Sequence, residues 1–240
     1  MPGHISPKEL KRDRFVETVV HAEEYAFAHA RNMWIAIGSI ALVLAAVFGW
    51  RFWSAQQSQK ASVAFEAAMK TYEARLRAPG EAEEPGEVTY VIEKLKYQDA
   101  RKKFDEVAAS YSLTQQGSMA RYYSALCSAH LGETDKAGAE LRSLVGGSNV
   151  EVASLANLAL ADLALQSGKT DDAVKILTDL IDHPTVLVPK ARAQMVLAGL
   201  YRTSKPAEAA RLYEQVKKDY PDTPLSEEAD RRLSEMGPAS

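Results

Sequence analysis

The chain has 240 residues, 46% hydrophobic and 25% charged, which is enough apolar material for a buried core in one or two domains. A formal net charge of −3 leaves no basic excess to neutralise a row of phosphates, so a nucleic-acid partner has no electrostatic support. One cysteine, Cys127, excludes an intramolecular disulfide, and within an apolar helical run it reads as a small buried hydrophobe.

Residues 1–32 form a leader, with a helix predicted from about Pro7 to Asn32. Phe15, Val16, Val19, Val20, Ala26, Phe27 and Ala30 recur at helical spacing and make one of its faces apolar. That amphipathic face fits lying on the inner leaflet, docking on a membrane partner, or simple continuation into the next element.

Residues 33–53 predict a transmembrane helix. From Met33 to Trp50 there is no charge, and at 1.5 Å per residue the run spans about 27 Å, the depth of a hydrocarbon core. Trp34 at one end and Trp50, Phe52 and Trp53 at the other are assigned to the membrane interface, where Arg51 can snorkel outward. A cleavable signal peptide needs a short leader and small residues after its apolar core. Here about thirty residues come first and Trp50-Arg51-Phe52-Trp53 follows. An interfacial helix would show a polar stripe that this run lacks. Lys8, Lys11, Arg12, Arg14 and Arg31 before the span, against Arg51, Lys60 and Lys70 after it, place the N-terminus in the cytoplasm.

Residues 54–240 read as an all-α domain of repeats. No strand-type alternation of Val, Ile and Thr is seen after Trp53. Three segments superimpose at a spacing of 36, beginning at His130, Gln166 and Arg202 and ending at Ala137, Ala173 and Ala209. Four residues after each alanine comes Leu141, Leu177 or Tyr213, and three further Leu144, Leu180 or Val216; Ala100, Phe104 and Val107 repeat the triplet upstream. The spacing describes a helical hairpin, in which Gly132 or Gly168 ends the first helix and an Asp-rich loop starts the second. The alanine marks the crossing of two helices, where only a small side chain permits close approach.

In chain order, a helix from Ala55 to Arg77 carries Phe65, Met69, Tyr72 and Leu76 on one stripe and pairs with a helix from Tyr97 to Tyr111. The acidic, Pro-Gly-punctuated stretch that begins at Ala78 makes 78–92 a mobile loop. Hairpins follow at 117–146, 152–182 and 188–220, and a capping helix at 226–236 closes the stack. These repeats resemble the tetratricopeptide-repeat family, with Tyr220-Pro221 at the closing position; the period of 36 and Ser204 in place of glycine depart from its pattern. The resemblance implies a solenoid whose first helices line a concave wall. Carried onto this chain, that wall holds Met119, Tyr122, His130, Leu155, Asp162, Gln166, Gln194, Tyr201 and Arg202 as partner-binding residues.

No catalytic, metal or cofactor site is expected: His4, His21, His29, His130 and His183 are scattered, and no Gly-rich phosphate loop or nucleophile elbow occurs. His130 and His183, near helix ends, are expected to satisfy local carbonyls. The order of parts, with a leader, one span ending in Gly49-Trp50-Arg51-Phe52-Trp53 and then repeats, is similar to the YfgM-like family of ancillary Sec translocon subunits. That resemblance implies a bacterial inner-membrane scaffold with its repeats in the periplasm. It also implies contacts with translocon subunits, periplasmic chaperones or extended emerging chains, and neither an enzymatic activity nor a small-molecule substrate. An envelope or cell-division scaffold with other clients is the alternative.

Overall fold

The computed structural model describes residues 30–82 and 86–237, and the chain divides after Gln56 into two compact units. The leader helix expected over residues 7–32 lies outside the described residues, except for Ala30, Arg31 and Asn32, which belong to the first helix, α1 (Ala30–Tyr72).

In the first unit, α1 carries the apolar run, and from Ile37 onward it is long and apolar enough to cross a membrane. The side chains of this run stand out from the helix on every side, Leu42 at 71% and Phe48 at 79% exposure. Covering one such side chain is worth about 1.5–3 kcal/mol. The hydroxyl of Ser39 donates to the Ile35 carbonyl at 2.7 Å, which satisfies it inside the helix. Trp34, Trp50, Phe52 and Trp53 are all exposed, and the Trp50 and Trp53 rings lie 5.4 Å apart.

In the second unit, α1 ends at Tyr72, five residues before the Arg77 expected from the sequence. The chain instead turns into β1 (Arg75–Leu76), which pairs in parallel with β2 (Thr89–Tyr90). This corrects the expectation that no strand follows Trp53. Val88-Thr89-Tyr90-Val91-Ile92 is a run of β-branched and aromatic residues with no clear alternation, and its partner is distant in sequence. The Arg75 guanidinium reaches Glu81 at 2.7 Å and Glu87 at 3.5 Å. Arg75 and the Ala78 N–H hold the Glu81 carboxyl below its usual range.

Among the described residues, eight further helices follow: α2 (Glu93–Ser110), α3 (Gln115–His130), α4 (Thr134–Val145), α5 (Val150–Gln166), α6 (Thr170–Asp182), α7 (Lys190–Ser204), α8 (Pro206–Asp219) and α9 (Pro224–Met236). The end of α1 pairs with α2, and α3/α4, α5/α6 and α7/α8 form three further hairpins under the cap α9. Each second helix is clamped between its own first helix and the next. Ala100 and Phe104 of α2 thus sit among α1 and α3, Ala137 and Leu141 of α4 among α3 and α5, Ala173 and Leu177 of α6 among α5 and α7, and Ala209 and Tyr213 of α8 among α7 and α9. All four alanines are fully buried, and the larger residues four positions on expose at most 1%. A small side chain at the crossing and a large one a turn later is the pattern that spacing predicts.

Gly132 (φ 79°) and Gly168 (φ 73°) end α3 and α5 in left-handed turns. The N–H groups of Gly132 and Glu133 donate to Ala129 and Ser128, and those of Gly168 and Lys169 to Leu165 and Ala164, which satisfies the last carbonyls of each helix. The acidic residues that follow do not cap the second helices as expected. Glu133 and Lys169 occupy the N-cap positions without side-chain capping bonds, while Asp135, Asp171 and Asp172 lie in the first turns, where the helix dipole favours them. In the last hairpin a single residue, Lys205 (φ −145°), joins α7 to α8, and Pro206 opens α8. A negative φ there removes the need for glycine, which is why Ser204 is tolerated.

Two glycines should therefore respond with opposite signs. Gly168→Ala forces a Cβ into the left-handed region and is expected to lose about 1 kcal/mol. Gly138, inside α4, is helical, and an added Cβ would meet only the flexible tip of Arg142 at 3.3 Å. Gly138→Ala should gain about 0.5–1 kcal/mol in thermal denaturation. The same sign for both would refute the backbone assignment.

Candidate partner-binding surface

The nine residues projected onto one wall come from α3, α5 and α7, and they divide by environment. Met119 and Tyr122 are half-buried against the core of Leu155, Leu158 and Leu197. Leu155 exposes 9% and Gln194 only 1%, so both are packing residues and not free contacts. The Gln194 Oε1 has no hydrogen-bond partner. Their burial corrects their assignment to the wall: stacking of α7 on its neighbours covers the face that a single hairpin leaves open.

His130 turns to the first hairpin. Its ring stacks on Tyr97 at 4.1 Å and 2° between planes, and its Nε2 lies 3.3 Å from the Tyr72 hydroxyl. The expected carbonyl partner is replaced by these aromatic contacts. His183 does meet a carbonyl, with Nδ1 at 3.2 Å from that of Asp179 and 3.1 Å from its carboxylate. Arg202 reaches toward the cap, pairing with Glu235 of α9 at 3.3 Å. Tyr201 is half-buried with the Lys205 ammonium 4.9 Å from its ring centre. Gln166 is exposed at the end of α5.

One constellation survives on the inner helices. Asp162 of α5 is open to water by surface area, yet the surrounding protein desolvates its carboxyl and raises its pKa, while Arg192 of α7 pulls it back down. The phenol of Tyr122 on α3 is pushed up to about 12, first by burial and then by Tyr123; Arg192 opposes that shift and Asp162 adds to it. An acid, a cation and a phenol from three successive hairpins therefore share one electrostatic environment. Tyr122 and Asp162 are among the residues projected from the sequence, and Arg192 is not. Arg192 stands 30 positions after Asp162, out of phase with the 36-residue repeat, so a repeat-by-repeat projection passes over it.

Cys127 is fully buried, and burial pushes its thiol up to about 12, which suits a packing residue. Among the described residues no group of three or more His, Cys, Asp or Glu is placed to hold a metal.

Burial lowers the pKa of His130, with Glu93 opposing and Lys96 reinforcing the shift. A folded-state pKa below the unfolded value of about 6.5 means that the unfolded chain binds more protons in the interval between them. Stability carried by His130 is thus complete above that interval and is lost as pH falls through it. His130→Phe keeps a ring on Tyr97 and removes the titration. Between pH 7 and 5 the wild type should lose more thermal stability than this variant, and parallel pH profiles would contradict the assignment.

The family model described as a tetratricopeptide repeat-like domain matches residues 27–184, and a tetratricopeptide repeat model matches residues 158–224. The first match covers more than half of the chain, so the chain belongs to the tetratricopeptide repeat-like domain family. Repeats of this kind are protein-interaction modules. No curated protein matches the chain.

Proposed function

We propose that the protein is a single-pass membrane scaffold of the bacterial inner membrane, with a cytoplasmic N-terminus and periplasmic repeats, serving as an ancillary subunit of the Sec translocon. Its inner-helix surface around Tyr122, Asp162 and Arg192 engages periplasmic chaperones or emerging extended chains. The observation that carries the reading is the uncovered apolar sleeve of α1, followed in the chain by stacked helical hairpins. The cationic excess before the span supports the orientation. Aromatic residues beside a few polar groups support the recognition of extended chains, where a phenol gives contact area and a carboxylate accepts backbone N–H groups.

Two measurements test it. Protease added to spheroplasts should degrade the repeats and spare the leader; protection of the repeats would reverse the orientation. A photocrosslinker at Tyr201, with co-purification in mild detergent, should recover translocon subunits or a periplasmic chaperone. Recovery of division or other envelope proteins instead would transfer the scaffold to a different client. Loss of the crosslink in Tyr122→Ala would tie capture to the inner-helix surface.

A further inference from the structure

One hollow in the repeat unit lies away from the residues projected onto the inner wall. A groove of about 660 Å³ runs between α4 and α6, with α5 as its floor. Leu160 and Ala164 line that floor, Val145 and Ile176 the walls. On α5, Leu160 and Ala164 point about 160° away from Asp162, so the groove lies on the opposite side of that helix from the inner surface. Its lining residues on α4 run from Thr134 to Val145, the whole helix, about 17 Å and the length of three helical turns. Gly138 leaves the middle of this wall without a side chain, and the Arg142 guanidinium folds over the gap.

The charges along the rim are unequal. Arg142, Lys169 and Lys175 line the groove, and none of them forms an ion pair among the described residues. Asp135 and Asp172 also line it, each in the first turn of its helix, where the positive end of the dipole offsets the carboxylate. Three cations against two carboxylates leave the rim cationic by one charge, set around an apolar trough.

We propose that this groove is a second docking surface, which takes an acidic amphipathic helix of a protein partner. The partner's apolar stripe lies on Leu160, Ala164, Val145 and Ile176, and its carboxylates meet Arg142, Lys169 and Lys175. A bilayer is the poorer occupant, because a plane of headgroups meets the rim cations and leaves the recessed floor uncovered. A scaffold with surfaces on both sides of its stack can hold two partners together.

The test uses the full chain in phosphatidylcholine nanodiscs and a fluorescent synthetic peptide of about four helical turns, leucine on one face and glutamate on the other. Saturable binding by anisotropy is expected. The combined variant Arg142→Glu, Lys169→Glu and Lys175→Glu should weaken it by about tenfold or more, as should lysine in place of every glutamate in the peptide. A photocrosslinker replacing the exposed Val145 should label the peptide in the otherwise wild-type chain, which holds the test open should the charge-reversed chain misfold. Tyr122→Ala should leave this binding unchanged, so the inner-surface reading fails or stands separately. No saturable binding, equal binding by the charge-reversed chain, or no label from position 145 overturns the proposal. So does a result in which phosphatidylglycerol vesicles, and not the peptide, depend on the three cations; that would assign the rim to a lipid surface.

Discussion

Phe104→Ala is expected to be the most damaging single change in the repeat unit, costing about 3–5 kcal/mol. The Phe104 ring is fully buried where α1, α2 and α3 meet, with the Phe65 ring at 5.7 Å and the Tyr123 ring at 5.3 Å. Removing it leaves an aromatic-sized void whose walls are held by Tyr72 and Tyr97, themselves engaged with His130, so the site cannot collapse cheaply. The loss is local to one end of the stack. Urea unfolding of the full chain in mild detergent, followed by circular dichroism, should show an early transition in which the first hairpin melts while the later ones persist. Phe104→Leu, which keeps most of the volume, should cost about 1.5 kcal/mol or less. An alanine variant no weaker than the leucine variant would mean that Phe104 is not the keystone of this cluster.

Leu177→Ala should cost about 2–5 kcal/mol, with a different signature. Leu177 is fully buried in the middle of the array, among Leu155 and Leu158 of α5 and Ala193 and Leu197 of α7. In a linear stack each hairpin is stabilised by its neighbours, so a weak central interface uncouples the two ends. The wild-type repeat unit should unfold in one transition and the variant in two, with the C-terminal half from α7 to α9 leaving first because its own cluster is small. A single transition in Leu177→Ala, merely shifted to lower urea, would show that coupling does not pass through this contact.

The hairpins were legible from residue spacing because the rule that makes them is local. An alanine with a large residue four positions on and an aliphatic one seven positions on occupies one helical face, whatever the rest of the chain does. Ala137, Ala173 and Ala209 accordingly share one environment. The β1–β2 pair was not legible: each strand has two residues, and Arg75-Leu76 carries no strand signature of its own. The environments of the projected surface residues were not legible: Met119 and Tyr122 pack against the core, Leu155 and Gln194 are buried, and Arg202 turns toward Glu235.

The amino-acid order alone determined that this protein has one apolar helix of membrane-spanning length followed by stacked helical hairpins with alanine at the crossings. Both properties come from composition and periodicity within some twenty to forty residues, which no distant contact can alter. Only the tertiary structure decided which side chains remain open: the shared environment of Tyr122, Asp162 and Arg192, the cationic trough between α4 and α6, and the turn of His130 into the first hairpin. Those outcomes depend on how far each hairpin rotates and slides against the next. That displacement is the sum of many side-chain contacts across an interface, and no local pattern encodes it.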